Sequence, residues 1–227
     1  NAAGVLLAAP LTLFAQQPGK VWRVGFLAPA SRQAISDRIG GFVLGLRELG
    51  YVERRNIVIE WRFAEGKYER LPGLATELVQ LKVDLIVALT DTGVDAAQHA
   101  TATIPIVMVN AGDPVGLKFV ASLSRPGGNT TGIGSSRGDL SGKYLEFLLA
   151  LVPKLSRVAV LLNPVNPAEG RVLKQIQAAA KTVGVSVSAF QASTPEQIDA
   201  AFGSMARART GALIMAPDPF FHGRRRQ

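Results

Sequence analysis

From Val21 onward, short apolar runs of strand length alternate with stretches in which apolar residues recur every third or fourth position. Val21 to Leu27 reads as a strand. Ile35, Ile39, Phe42, Val43, Leu46 and Leu49 then repeat at helical spacing, and Gly50 stands where a C-terminal cap belongs. Ile57-Val58-Ile59 is a second strand, and Leu71, Leu74, Ala75 and Leu78 mark a helix. Asp84 to Ala88 is a third strand. A short helix over 93–102 leads to a fourth strand at 106–109, and Thr130 to Gly134 supplies a fifth.

The second half repeats this order. Arg157-Val158-Ala159-Val160-Leu161 matches Arg23-Val24-Gly25-Phe26-Leu27, and Val172, Ile176, Ala179 and Val183 give the following helix. Gly184 stands to Arg157 as Gly50 stands to Arg23. Val185 to Phe190 is the next strand, Ile198, Phe202 and Met205 are a helix face, and Ala212 to Ala216 is a third strand. Strands alternating with helices imply parallel sheets joined by right-handed crossovers. Two such units predict an α/β protein of two Rossmann-like lobes, with the helix carrying Leu140, Tyr144, Phe147, Leu148 and Leu151 as the passage between them. The first unit runs on from Ala88 through two more strands, whereas the second has only Pro217 to Gln227 after its third. The reading favours a second lobe that stops short, with apolar surface exposed on its outer face.

Composition narrows the class. At 227 residues and 48% hydrophobic content, the chain suits buried parallel strands and excludes a disordered protein. Residues 1–15 are apolar and uncharged, and Gln16-Gln17-Pro18-Gly19-Lys20 then turns polar; this reads as the remnant of a secretory signal without its basic start. The expected organisation is therefore a leader remnant and linker over 1–19, a first lobe over 20–136 and an incomplete second lobe over 137–227. With no cysteine, thiol catalysis and cysteine-based zinc sites are excluded, and stability must come from core burial. The net charge of +8 raises the question of nucleic acid, but Lys and Arg are scattered, with Arg224-Arg225-Arg226 as the one run. No nucleic-acid partner and no cofactor are expected.

Gly112-Asp113-Pro114-Val115-Gly116 and Arg125-Pro126-Gly127-Gly128-Asn129-Thr130-Thr131-Gly132 are too rich in Gly, Pro, Asp and Asn to continue a helix or central strand. In open α/β sheets the ligand crevice lies outside the carboxyl ends of the strands. The candidate ligand-binding residues are accordingly Ser31 after the first strand, Thr90, Asp91 and Thr92 after the third, and Asp113 after the fourth. Helix-start amides there favour a carboxylate and the hydroxyls add hydrogen bonds, although the same residues are also preferred helix caps. Asn129, Thr131, Ser135 and Ser136 are placed near a lobe crossing, with Gly127 and Gly128 permitting unusual backbone. From the second lobe come Asn163, Asn166 and Asp218. Asp218 can pair with a ligand ammonium, or serve as a plain turn residue between two prolines.

Taken together, Leu49-Gly50-Tyr51-Val52-Glu53, Asn56 to Glu60, Ile104-Pro105-Ile106-Val107, Asp113 to Gly116, Arg125 to Gly132, Val152-Pro153, Arg157 to Leu161 and Asn163-Pro164 carry a resemblance. From Val21 to Phe221 the chain resembles the substrate-binding proteins of bacterial ABC-type transport systems, which have the type I periplasmic binding protein fold. The resemblance implies two hinged lobes, a small ligand in the cleft, an amino acid or other carboxylate by analogy with relatives that take up aromatic amino acids, export to the periplasm, and delivery to a membrane permease. Arg54 stands where the family usually has Gly, and reads as a surface change. Two rivals remain open. A sensory module of the same fold would feed a signalling partner; an enzyme would need a constellation that His99 and His222, the two histidines, do not form in any recognisable pattern.

Overall fold

The computed structural model describes residues 20–134, 140–224 and 227. Five parallel strands form the first sheet: β1 (Trp22–Ala28), β2 (Ile57–Phe63), β3 (Leu85–Leu89), β4 (Ile106–Ala111) and β5 (Thr130–Gly134), in the order β2-β1-β3-β4-β5. Helices α1 (Ser36–Glu48), α2 (Leu71–Gln80) and α3 (Thr90–Ala100) make the crossovers. The second sheet has β6 (Arg157–Leu162), β7 (Ser186–Gln191) and β8 (Ala212–Met215) in the order β7-β6-β8. Its helices are α4 (Leu140–Leu151), α5 (Glu169–Thr182), α6 (Pro195–Arg207) and the one-turn α7 (Pro219–Gly223). All strand pairs are parallel. The chain therefore has the α/β architecture of two parallel-sheet lobes that its patterning predicts.

The central strands β1, β3 and β6 are buried on both faces, which is why they read as continuous apolar runs, whereas the edge strands β5 and β7 are partly or largely exposed. Along β1, Val24, Phe26 and Ala28 point into one cluster with Ile39 of α1, while Leu27 points to the other with Leu74 and Leu78 of α2. Gly25 lies opposite Leu78, where a Cβ would sit only 3.0 Å from the leucine methyls, so α2 packs unusually close to the strand. The second lobe repeats the division. Val158, Val160 and Leu162 pack towards α5, while Ala159 and Leu161 pack towards α6.

The repeated glycines close their helices by the same device. Gly50 (φ 85) follows α1, with its N–H on the Arg47 carbonyl and that of Tyr51 on the Leu46 carbonyl. Gly184 (φ 71) follows α5, with the Val185 N–H on the Ala180 carbonyl. These are Schellman closures, which need a left-handed residue and so select glycine. Two boundaries differ from the sequence expectation. β2 continues through Glu60-Trp61-Arg62-Phe63 because Trp61 and Phe63 pack beside Phe26 under Arg32. α3 begins at Thr90, straight off the tip of β3, with no intervening loop.

Because every strand in each sheet runs the same way, each lobe gathers its strand tips at one end, and those ends face each other. Among the described residues, cavities of about 110, 640, 620 and 390 Å³ adjoin one another between these ends.

Candidate functional site

The second lobe's contribution starts from Asn163-Pro164-Val165-Asn166-Pro167, directly after β6. Each asparagine folds its own corner. Asn163 Oδ1 accepts from the Val165 N–H at 3.3 Å, and Asn166 Oδ1 accepts from the Ala168 N–H at 3.0 Å. Both are Asx turns, and they leave the two Nδ2 groups free to donate elsewhere. Both donate to Asp218: Asn163 to Oδ1 at 3.1 Å and Asn166 to Oδ2 at 2.7 Å. Asp218 also caps α7 through the Phe220 N–H at 2.7 Å, with Pro219 at the first helical position. Its fourth bond comes from the opposite lobe, where Tyr68 Oη donates to Oδ2 at 2.7 Å. The turn role foreseen for Asp218 is thus what these bonds give it, as a buried carboxylate capping α7.

Glu169, at the start of α5, is the second carboxylate of this cluster and only 3% exposed. Its Oε2 accepts from the Asn163 N–H. As a carboxylate its Oε1 would be buried with no partner. Burial, reinforced by the charge of Asp218 and a hydrogen bond to it, raises the Glu169 carboxyl to about 9, against a smaller lowering by the Asn163 N–H. Burial and the neighbouring Asp218 thus favour the uncharged form of Glu169. Tyr68 is held above the ordinary phenol range, chiefly by burial and then by Asp218. It stays a neutral donor.

The first lobe brings its own polar edge. Thr90 takes φ 62 at the junction of β3 and α3, and Asn110 takes φ 63 in a bulge between Val109 and Ala111 of β4. Such a conformation is strained for a β-branched threonine and better tolerated by asparagine. Both residues line the central cavity of about 110 Å³. The Thr90 and Thr92 hydroxyls lie 3.2 Å apart. Asp91 accepts from the Gly112 N–H at 2.6 Å and from Arg171 Nη2, across the cleft on α5, at 2.8 Å. Arg171 Nη1 stands 4.0 Å from Asp113. Tyr144, Asn166, Glu169 and Gln175 complete the polar lining.

The positions expected from sequence are distributed as follows. Thr90, Asp91 and Thr92 line the central cavity, and Asp218 the adjoining one of about 390 Å³. Ser31 borders the cavity of about 640 Å³ and accepts from the Ala34 N–H at 3.2 Å. Asp113 is at the rim, where it accepts from the Gly116 N–H at 2.9 Å. Asn163 lies one layer behind the cavity wall, as a support for Asp218. Asn129 and Thr131 lie elsewhere. Asn129 donates to the Thr101 and Ile104 carbonyls at 3.1 and 2.9 Å, and Thr131 pairs with Val107. Both sit towards the amino ends of parallel strands, away from the tips that form the cleft, because the chain returns beneath the sheet before β5 begins. Of Gly127 and Gly128, only Gly127 has positive φ (74). Ser135 and Ser136, like the signal-like residues 1–19, lie outside the described residues.

Tyr68, Glu169 and Arg171 are cleft residues that the sequence reading missed. Glu169 and Arg171 were legible as polar residues between a strand and a helix face. Tyr68 was not, because an aromatic residue ahead of a helix reads as core.

The family model described as ABC transporter substrate binding protein matches residues 23–223. The chain belongs to this family. A tyrosine-binding protein of Clostridioides difficile (strain R20291) is 35% identical over 123 residues, which are 54% of this chain and 35% of that protein. The chain thus spans about a third of that relative's length. Among solved structures, a conserved domain protein from Vibrio cholerae O1 biovar El Tor aligns with TM-score 0.74 and 22% identity, covering 90% of this chain and 77% of its own. The ABC domain in complex with L-Trp from Streptococcus pneumonia aligns with TM-score 0.74 and 23% identity, covering 88% and 67%. The family's fold is the type I periplasmic binding protein fold, in agreement with the two parallel sheets. Among the described residues no helix is long and apolar enough to cross a membrane.

Proposed function

We propose that this chain binds a small amino-acid-like solute between its lobes, as the periplasmic binding component of an ABC-type importer, and hands it unchanged to a membrane permease. The observation that carries the reading is the polarity of the central cavity. One wall presents the buried Glu169 carboxyl, with Asp218 on the adjoining cavity, and among the described residues the protein groups that hydrogen-bond these two acids are uncharged. The other presents the start of α3, with the Thr90 and Thr92 hydroxyls, and Arg171 projects between the walls. An α-amino acid carries a matching pair of charges: its ammonium suits the carboxyl wall, and its carboxylate suits the helix start and the arginine.

The cavity as it stands, about 110 Å³, is well below the roughly 300–1,000 Å³ of small-molecule pockets. Parting of the lobes, which breaks the Tyr68–Asp218 and Arg171–Asp91 links, would enlarge it. The tyrosine-binding relative and the L-Trp complex support aromatic amino acids as first candidates. A thermal-shift screen with L-tyrosine, L-tryptophan, their deaminated acids and short carboxylates tests this. A solute at a hundred times its Kd adds about 2.7 kcal/mol of stability. The expected result is a rise for at least one amino acid that exceeds the rise for its deaminated form. A rise for none, or chemical conversion of the bound compound, would defeat the proposal.

A further inference from the structure

The carboxyl wall has a feature that charge complementarity alone does not use. Two acids share one buried hydrogen-bond cluster that has no cation in it among the described residues. Asp218 receives Tyr68, Asn163, Asn166 and the Phe220 N–H, all neutral donors. Glu169 receives the Asn163 N–H on one oxygen, and its other oxygen is buried without a partner unless it carries a proton. Arg171, two residues on in the same helix, is turned to Asp91 and Asp113 of the first lobe instead. Tyr144 of α4 lines the same cavity. The charged and titratable groups around Glu169 are thus Asp218 from the β8–α7 corner, Arg171 on α5, Tyr68 and Asp91 from the first lobe, and Tyr144 from α4.

We infer that the ammonium of the bound solute exchanges with the proton between Glu169 and Asp218, so that each solute taken up releases one proton to water. This rests on the amino-acid reading above. A proton and an ammonium cannot both occupy the space between the acids, since each would place a positive charge or a donor on the same orphaned oxygen. On entry the Glu169 O–H bond breaks, its proton leaves through the open cleft, and an N–H of the ammonium donates to the carboxylate left behind. The solute stays a zwitterion, and the protein loses one positive charge. By linkage, affinity weakens as the pH falls, by up to tenfold per pH unit below about 9. Acid would therefore unload the cleft.

Calorimetry of L-tyrosine binding between pH 6 and 8, in pairs of buffers with different ionisation enthalpies, measures the proton directly. The expected result is close to one proton released per tyrosine at pH 7. Release should be absent with 3-(4-hydroxyphenyl)propionate, which has no ammonium. Glu169→Gln should bind tyrosine with an affinity flat across this pH range and without release. Infrared spectroscopy of the unliganded protein should show a carboxylic-acid carbonyl band at pH 7 that saturating L-tyrosine removes. Tyrosine binding without proton release overturns the exchange but leaves the amino-acid reading intact, and so does absence of the acid band. Binding of deaminated acids but of no amino acid overturns both. The wild-type measurements decide the matter even if the variant fails to fold.

Discussion

A carboxyl group buried beside another carboxylate keeps its proton far above its solution range, and folding stability inherits that preference. The Glu169 carboxyl is raised from 4.5 to about 9, so between those values the folded chain holds a proton that the unfolded chain has lost. Its contribution is fully present below about pH 4.5 and disappears as the pH climbs through 9. One such proton corresponds to a slope of up to about 1.4 kcal/mol per pH unit. Urea denaturation of the protein across pH 5–9 should show this decline, and Glu169→Gln should flatten it, so that the variant is close to the wild type near pH 5 and increasingly more stable than it as the pH rises, because the amide reproduces the neutral acid's shape and donor but does not ionise in the unfolded chain. Asp218→Asn should cost about 1–3 kcal/mol, since an amide nitrogen would then face groups that only donate. Arg54 offers a simpler case. The position that reads as a surface change has φ 65, the left-handed conformation that favours glycine. Arg54→Gly relieves that strain but loosens the unfolded chain, so unfolding free energy should stay level or rise by up to about 1 kcal/mol.

Elements were the most legible level of this chain. Helical spacing and the paired Gly50 and Gly184 located α1 and α5 because a buried stripe and a left-handed cap both leave marks in local sequence. The run Arg125 to Gly132 was equally conspicuous, but its work is structural. Gly132 in β5 has φ 138, and a Cβ there would sit 2.1 Å from the Met108 carbonyl oxygen of β4. Gly132→Ala should therefore displace or unpair the edge strand, costing about 2 kcal/mol or more in chemical denaturation. Asn129 closes the far end of the same sheet. Local sequence reveals that a segment is shaped, but not at which end of the strands it lies, and this is why Asn129 and Thr131 looked like cleft residues. Thr90 to Thr92 were placed correctly at a strand tip because the strand ends immediately before them.

At the scale of the whole molecule, the described residues join the lobes through Tyr68–Asp218 and through Arg171 with Asp91 and Asp113, and these links are unequal. Arg171 and Asp91 are partly exposed, with side chains 33% and 19% accessible, so solvent screening keeps their pair near the 0–1 kcal/mol of surface ion pairs. Tyr68 donates to a buried carboxylate, a bond in the range of about 1.5–3 kcal/mol. Tyr68→Phe should therefore open the unliganded molecule more than Arg171→Ala does. Small-angle X-ray scattering should show the larger increase in radius of gyration for the tyrosine variant. Neither link was visible in sequence, since Tyr68 and Asp218 lie 150 positions apart and meet only when both lobes have folded.

The phenol–carboxylate bond between the lobes also bears on how strongly solute is held. A molecule that rests shut while vacant withdraws itself from the pool able to accept cargo, and apparent affinity drops by the fraction still agape. Were roughly one molecule in ten agape, loading would need about ten times more solute. On the proposed solute-binding role, the contact that holds the lobes together would thus also set the concentration at which loading begins.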